Sequence, residues 1–157
     1  MNVEQLMTRS IATCAATDTL QRAARTMWEH DCGVVPVVDG DGRVIAMITD
    51  SDICMAAYTQ GKPIADLPVS SAASKNIVVT RMNDTVHAAE ELMKKHKIRR
   101  LPVVDDRGCI VGLLSLNDLA RHAGRRADDL DTSEVTRTLG AICQPNKGPF
   151  EGAPRAA

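Results

Sequence analysis

The sequence predicts an α+β fold, two β-α-β-β-α repeats packed as one body about a pseudo-twofold axis. Three observations carry this expectation. Shifting the chain on itself by 66 positions aligns residues 10–57 with 76–123 without a gap. The identities include Asp18/Asp84, Thr19/Thr85, Met27/Met93, Pro36/Pro102, Asp39/Asp105 and Asp52/Asp118, and self-similarity on a fixed register marks a duplication. Each copy also passes from a short apolar run to a stripe of helical period, then to paired apolar runs around a Gly-containing turn. Finally, 157 residues suit one domain or two small repeats at ~100–200 residues per domain. Hydrophobic residues make up 44% of the chain, with a single Trp, Tyr and Phe, so Val, Ile, Leu, Ala and Met must fill closely spaced layers.

Taken in order, Ile11-Ala12-Thr13 and Ile77-Val78-Val79 are apolar runs fit for a buried strand. Asp18-Thr19 and Asp84-Thr85 can cap a helix whose inner stripe is Leu20, Ala23, Met27 in one copy and Val86, Ala89, Met93 in the other. Val34–Val38 and Arg100–Val104 then form strands that end in Asp39-Gly40-Asp41-Gly42 and Asp105-Asp106-Arg107-Gly108. Val44–Ile48 and Ile110–Leu114 return as the second arms of antiparallel hairpins. A last helix follows at about 51–58 and 117–123. The expected organisation is a first repeat with its lead-in over 1–58, a connector over 59–75 and a second repeat over 76–123. A helical extension over 124–145 and a disordered tail over 146–157 complete it. Within the connector, Ile64-Ala65-Asp66-Leu67 echoes Val3-Glu4-Gln5-Leu6, which suggests a lead-in turn before each repeat. Val135, Leu139 and Ile142 form the apolar stripe of the extension.

Composition narrows the function. A net charge of −1 argues against general attraction to nucleic acid or an anionic membrane, and the scarcity of aromatics removes stacking platforms for single strands. No apolar run reaches the ~18–20 residues that span a bilayer, and the N-terminus lacks the features of a secretory signal. Five scattered cysteines without a CxxC pair fit reduced thiols in the cytoplasm.

Two segments carry candidate chemistry. At each junction between hairpin and final helix, a hydroxyl precedes an Asp by three residues: Thr49/Asp52 and Ser115/Asp118. This spacing makes a helix cap. It also makes a site in which helix N–H groups attract phosphate and the carboxylate accepts from a ribose diol. Gly112 is expected to let a ligand approach the backbone, more than Ala46 does. The second segment is the basic run Lys94–Arg100, where Arg99 and Arg100 correspond to Gly33 and Val34 of the first copy. Guanidinium forks suit phosphate.

These residues resemble the cystathionine-beta-synthase (CBS) domain, and the pair resembles a Bateman module. The resemblance covers roughly residues 3–123. It rests on the element order, on Val35-Pro36-Val37-Val38-Asp39 and Leu101-Pro102-Val103-Val104-Asp105, and on the two hydroxyl-x-x-Asp junctions. Glu91–Asp105 is also similar to repeats of the gamma subunit of AMP-activated protein kinase. The resemblance implies two clefts between the repeats for an adenosyl ligand such as AMP, ADP, ATP, NAD or S-adenosylmethionine. In the favoured cleft, Ser115 and Asp118 would meet phosphate or ribose and Ile11, Ala12 and Leu113 would border the adenine. Cys32, Gly33 and Val34 would form its wall, with Arg99 and Arg100 toward the phosphates. The second cleft would use Thr49 and Asp52 with Met47, Ile77, Val78 and Ile98. Family sequences often carry Gly where Ala46 stands and a basic residue where Ser51 and Asn117 stand.

The expected activity is therefore that of a ligand-responsive regulator acting on an unnamed protein target, without a catalytic cofactor. Its expected state is a homodimer joined through the final helices of the repeats and the 132–142 segment. No nucleophile elbow, paired-acid arrangement or Walker-type loop points to an enzyme, and no His/Cys spacing supplies four convergent zinc ligands. A ligand-free dimerisation scaffold and, behind it, a metal-binding CBS protein are the alternatives.

Overall fold

A computed structural model describes residues 1–123 and 131–144. The first repeat contains β1 (Cys14–Ala15), α1 (Leu20–Glu29), β2 (Val34–Val38), β3 (Val44–Thr49) and α2 (Asp50–Gln60). The second contains β4 (Thr80–Arg81), α3 (Val86–His96), β5 (Arg100–Val104), β6 (Ile110–Ser115) and α4 (Leu116–Ala123), and α5 (Thr132–Ile142) follows. Each repeat holds one three-stranded mixed sheet, in the orders β1-β2-β3 and β4-β5-β6. The outer strand runs parallel to the middle one and the hairpin arm antiparallel. The expected fold class is the observed one. No helix among the described residues is long and apolar enough to cross a membrane.

Local chemistry repeats at the 66-residue spacing. Thr19 Oγ1 accepts from the Arg22 N–H at 3.2 Å and Thr85 Oγ1 from the Ala88 N–H at 3.1 Å, which caps α1 and α3. Both helices bury the stripe that the periodicity marks. In the hairpin turns, Asp39 Oδ1 accepts from the N–H groups of Asp41 and Arg43, and Asp105 Oδ1 from those of Arg107 and Cys109. Gly42 and Gly108 supply the left-handed φ of 80° and 82° that these turns require.

Three expectations need correction. Residues 11–13 and 77–79 are not strands. The parallel pairing lasts only from Cys14 and Thr80 for two residues, because Asp18 Oδ2 and Asp84 Oδ2 draw the N–H groups of Ala15 and Arg81 into turns. The lead-in of the second repeat is not 64–67. A short 3-10 turn at Val69–Ser71 matches the one at Val3–Gln5, keeping the 66-residue spacing. In α5 the buried positions are Val135, Thr138 and Ile142, while Leu139 is 44% exposed, since spacings of three and seven select the face that meets α3 and α4. Of the expected 124–145 extension and 146–157 tail, residues 124–130 and 145–157 lie outside the described residues.

The lead-ins are exchanged between repeats. Val3 and Met7 lie in the core of the second repeat with Met93, Leu101 and Leu114, and the Val3 N–H donates to Asp84 O. Leu67 and Val69 lie in the core of the first repeat with Leu20, Val35 and Ile48, and the Val69 N–H donates to Asp18 O. At the opposite end the hairpin turns meet. The Val44 N–H donates to Gly108 O at 3.2 Å and the Ile110 N–H to Gly42 O at 3.1 Å, a reciprocal pair that expresses the pseudo-twofold axis.

Candidate functional site

Exchange of the lead-ins brings residues 8–12 over β6 and residues 74–78 over β3, through reciprocal bridges Thr8↔Leu113 and Met47↔Ser74. Two clefts result. The first, of about 430 Å³, is lined by Ile11, Ala12, Cys32, Gly33, Val34, Arg100, Leu113, Ser115 and Asp118. The second, of about 400 Å³, is lined by Met47, Thr49, Asp52, Ile77, Val78 and Ile98. The apolar residues that fail to form strands, Ile11, Ala12, Ile77 and Val78, thus become cleft walls.

One sequence assignment changes. Arg99 lines the second cleft, whereas Arg100 and Val34 line both. Arg100 opens β5 opposite Ser115, and Arg99 stands at the bend just before the strand. Sequence reasoning also missed Lys97, which lines the second cleft from the left-handed position (φ 52°) after α3. In the first cleft it missed His30, Asp31 and Arg121. The equivalence of Lys97 with Asp31 at the 66-residue spacing was the available signal. It puts a cation in one cleft and a carboxylate at the corresponding place in the other.

The two clefts therefore differ electrostatically. Lys97, Arg99 and Arg100 line the second cleft, with Asp52 as its carboxylate among the described residues; Lys97 Nζ donates to Gln144 O at 3.3 Å and Arg99 Nη2 to Cys143 Sγ at 3.9 Å. In the first, Arg100 and Arg121 are set against Asp31 and Asp118. Asp118 is also fully engaged. It is 8% exposed, its Oδ2 accepts from the Ser115 N–H at 2.9 Å and from the Ser115 hydroxyl, and its Oδ1 pairs with Arg121. Asp52 is half-buried. Its Oδ2 accepts from the Thr49 N–H at 2.9 Å and Thr49 Oγ1 at 2.7 Å, which leaves Oδ1 open among the described residues. The Thr49 hydroxyl accepts from the Asp52 N–H, completing a capping box on α2. The helix cap and the ligand-facing geometry thus coexist.

At Gly112 the chain itself takes up the space that a side chain would fill. A Cβ there would lie 2.7 Å from Met7 Sδ and 3.1 Å from the Thr8 carbonyl oxygen, so its small size admits the exchanged lead-in. In the first repeat Ala46 faces the pseudo-equivalent segment, where Ala73 takes the place of Met7.

The family model described as CBS domain matches residues 3–58 and 69–125, so the second match begins at the lead-in turn, inside the stretch expected as connector. The CBS domain-containing protein YhcV of Bacillus subtilis is 39% identical over 119 residues, covering 76% of this chain and 83% of its own length. Among solved structures, the CBS domain pair of protein MJ0100, in complex with 5-methylthioadenosine and S-adenosyl-L-methionine, superposes with a TM-score of 0.72. It is 24% identical, over 79% of this chain and 96% of that one. Hypoxic Response Protein I, solved with two coordinated zinc ions, gives a TM-score of 0.71 at 28% identity, over 78% and 98% of the two chains.

Proposed function

We infer the function from one premise: the chain belongs to the CBS-domain family, as a tandem pair. We propose that it is a non-catalytic regulator that takes an adenosyl ligand between its repeats, and that a phosphate-bearing ligand such as AMP, ADP or ATP sits in the Thr49/Asp52 cleft. The observation that carries this is a cleft bordered by Lys97, Arg99 and Arg100 whose Asp52 keeps an open carboxylate oxygen; Lys97 also donates to the Gln144 carbonyl and Arg99 to Cys143 Sγ, contacts that a phosphate would replace. Cations match the phosphates, the α2 N-terminus adds its exposed N–H groups, and Asp52 accepts from the ribose diol. Ile77, Val78 and Met47 supply apolar surface for the base. The same fold holds adenosyl ligands in the MJ0100 pair. This places the phosphate preference in the cleft opposite to the one that the Arg99–Arg100 pair suggests from sequence. The nearly balanced Ser115/Asp118 cleft suits an adenosyl group without several phosphates.

The pair works as a sensor because its ligand touches both repeats, so binding favours the repeat arrangement that closes on it, by no more than the ligand's differential affinity for the two states. Calorimetry with ATP and adenosine tests the assignment. Losing a charge-assisted hydrogen bond costs about 1.5–3 kcal/mol, so Asp52→Ala should weaken ATP roughly 10- to 150-fold. Arg99→Ala should weaken ATP and leave adenosine unchanged. If Asp118→Ala abolishes ATP binding while Asp52→Ala preserves it, the cleft assignment fails.

The proposed partner is a second copy. The helices α1 and α2 expose Trp28 (87%), Tyr58 (81%) and Met55 (54%), and Trp28 borders a cavity of about 450 Å³ together with Ala24, Met27 and Ile53. The equivalent helices of the second repeat are covered by α5. Light scattering should give a dimer at micromolar concentration and a monomer for Trp28→Glu; a monomeric parent protein would defeat this.

A further inference from the structure

The contact between α3 and α5 holds three ionisable side chains that neither cleft uses: His87, Glu90 and Glu134. His87 and Glu90 stand one helical turn apart on α3, and Glu134 comes from the first turn of α5. One ligand atom from each lies within 4.8 Å of the others. Glu90 is 1% exposed, and its Oε1 is buried without a hydrogen-bond partner. A buried acceptor left unpaired is costly, and the Glu90 carboxyl stands beside a second carboxylate and an imidazole. Burial pushes the Glu90 carboxyl above the usual carboxylate range and Glu134 adds to the effect, while Lys94, His87 and the Thr138 hydroxyl oppose it.

We propose that His87, Glu90 and Glu134 bind a divalent transition-metal cation of the zinc class and thereby fasten α5 to the second repeat. Imidazole nitrogen with carboxylate oxygen is a donor set zinc accepts, with bonds of about 2.0–2.2 Å. A neutral imidazole and two carboxylates balance a 2+ charge. Ligand atoms on one tetrahedral ion of that bond length stand roughly 3.3 Å apart, so side-chain rotation must even out spacings that now run from 2.7 Å to no more than 4.8 Å. His87, two-thirds exposed, is free to turn, and it also leaves a side open for a water as fourth ligand. The contact between His87 Nδ1 and Glu134 Oε1, now 2.7 Å, would give way to two bonds to the ion. Lys94 lies 3.6 Å from Glu134 but is held more closely by Glu91 at 2.8 Å.

Cobalt(II) titration of the full chain after EDTA treatment, followed by absorption spectroscopy, tests the site. The expected result is one cobalt per chain with ligand-field bands and no thiolate charge-transfer band. His87→Ala and Glu90→Gln should each weaken binding at least roughly tenfold. Zinc should raise the thermal midpoint and the exchange protection of α5 amides in the parent protein and in neither variant. His87→Ala, at an exposed position, keeps the test valid if Glu90→Gln fails to fold. No cobalt uptake, a thiolate band, or undiminished binding in His87→Ala would overturn the proposal.

Discussion

Gly112 and Cys14 show how single side chains decide what their surroundings permit. Gly112→Ala should cost about 1–3 kcal/mol through overpacking against Met7 and the Thr8 carbonyl. Combining it with Met7→Ala, which copies the Ala46/Ala73 arrangement, should recover part of that loss. Denaturant unfolding of the singles and the double gives the coupling, and strict additivity would refute the steric account. Burial, helped by Asp18 and opposed by Arg22, pushes the Cys14 thiol from 9.0 up to about 11. The folded chain therefore keeps a proton that the unfolded chain releases between pH 9 and 11. Stability from this source is complete below pH 9 and lost as pH rises toward 11, on the order of 2–3 kcal/mol. The advantage of the parent protein over Cys14→Ala should shrink by that amount across the interval. In the native state at pH 8, iodoacetamide should reach the exposed Cys54 and Cys143 and spare Cys14.

Among the elements, α5 is the most separable, because it docks on α3 and α4 through Val135, Thr138 and Ile142. Val135→Asp would place an unpaired charge in that contact, which is too costly to remain docked. Hydrogen exchange should show α5 amides losing protection while β2 and β3 keep theirs; unchanged α5 protection would contradict this. The helices α1 and α3 and both hairpins were legible in the sequence, since cap, stripe and turn chemistry agree there at a fixed 66-residue spacing. Ile11–Thr13 and Ile77–Val79 read as strands because a short apolar run has the same appearance whether it pairs in a sheet or walls a cleft. Both hydroxyl-x-x-Asp junctions read from sequence as helix caps, and only the family resemblance set them in clefts, where Thr49, Asp52, Ser115 and Asp118 do line the walls. The sequence could not reveal that Arg99 borders only one cleft while Arg100 borders both, since that depends on the bend before β5 and on the register Arg100↔Ser115. The pairing of Glu90 with α5 was hidden for a different reason. Its counterpart is Ala24, and a buried carboxylate on a helix looks like a solvated one until its neighbour is known.

For the molecule as a whole, the exchange of lead-ins ties the two cores together. Val3 is completely buried in the second repeat's core, 66 positions away from the Val69 that does the same in the first. Val3→Ala should cost about 2 kcal/mol, and the loss of exchange protection should appear in β5 and β6 before β2 and β3. The reverse order would contradict the observed packing. Because each core contains a segment supplied from the far half of the chain, the connection between α2 and Leu67 is not what keeps the halves together. A cut among the exposed residues Gly61, Lys62 and Pro63 leaves an N-terminal piece carrying Val3 and Met7 and a C-terminal piece carrying Leu67 and Val69. Each piece holds the part that the other lacks, so the two should co-purify as one nicked protein and reassemble when mixed. Two intact chains could trade the same segments, which gives this architecture a ready path to strand-exchanged assemblies.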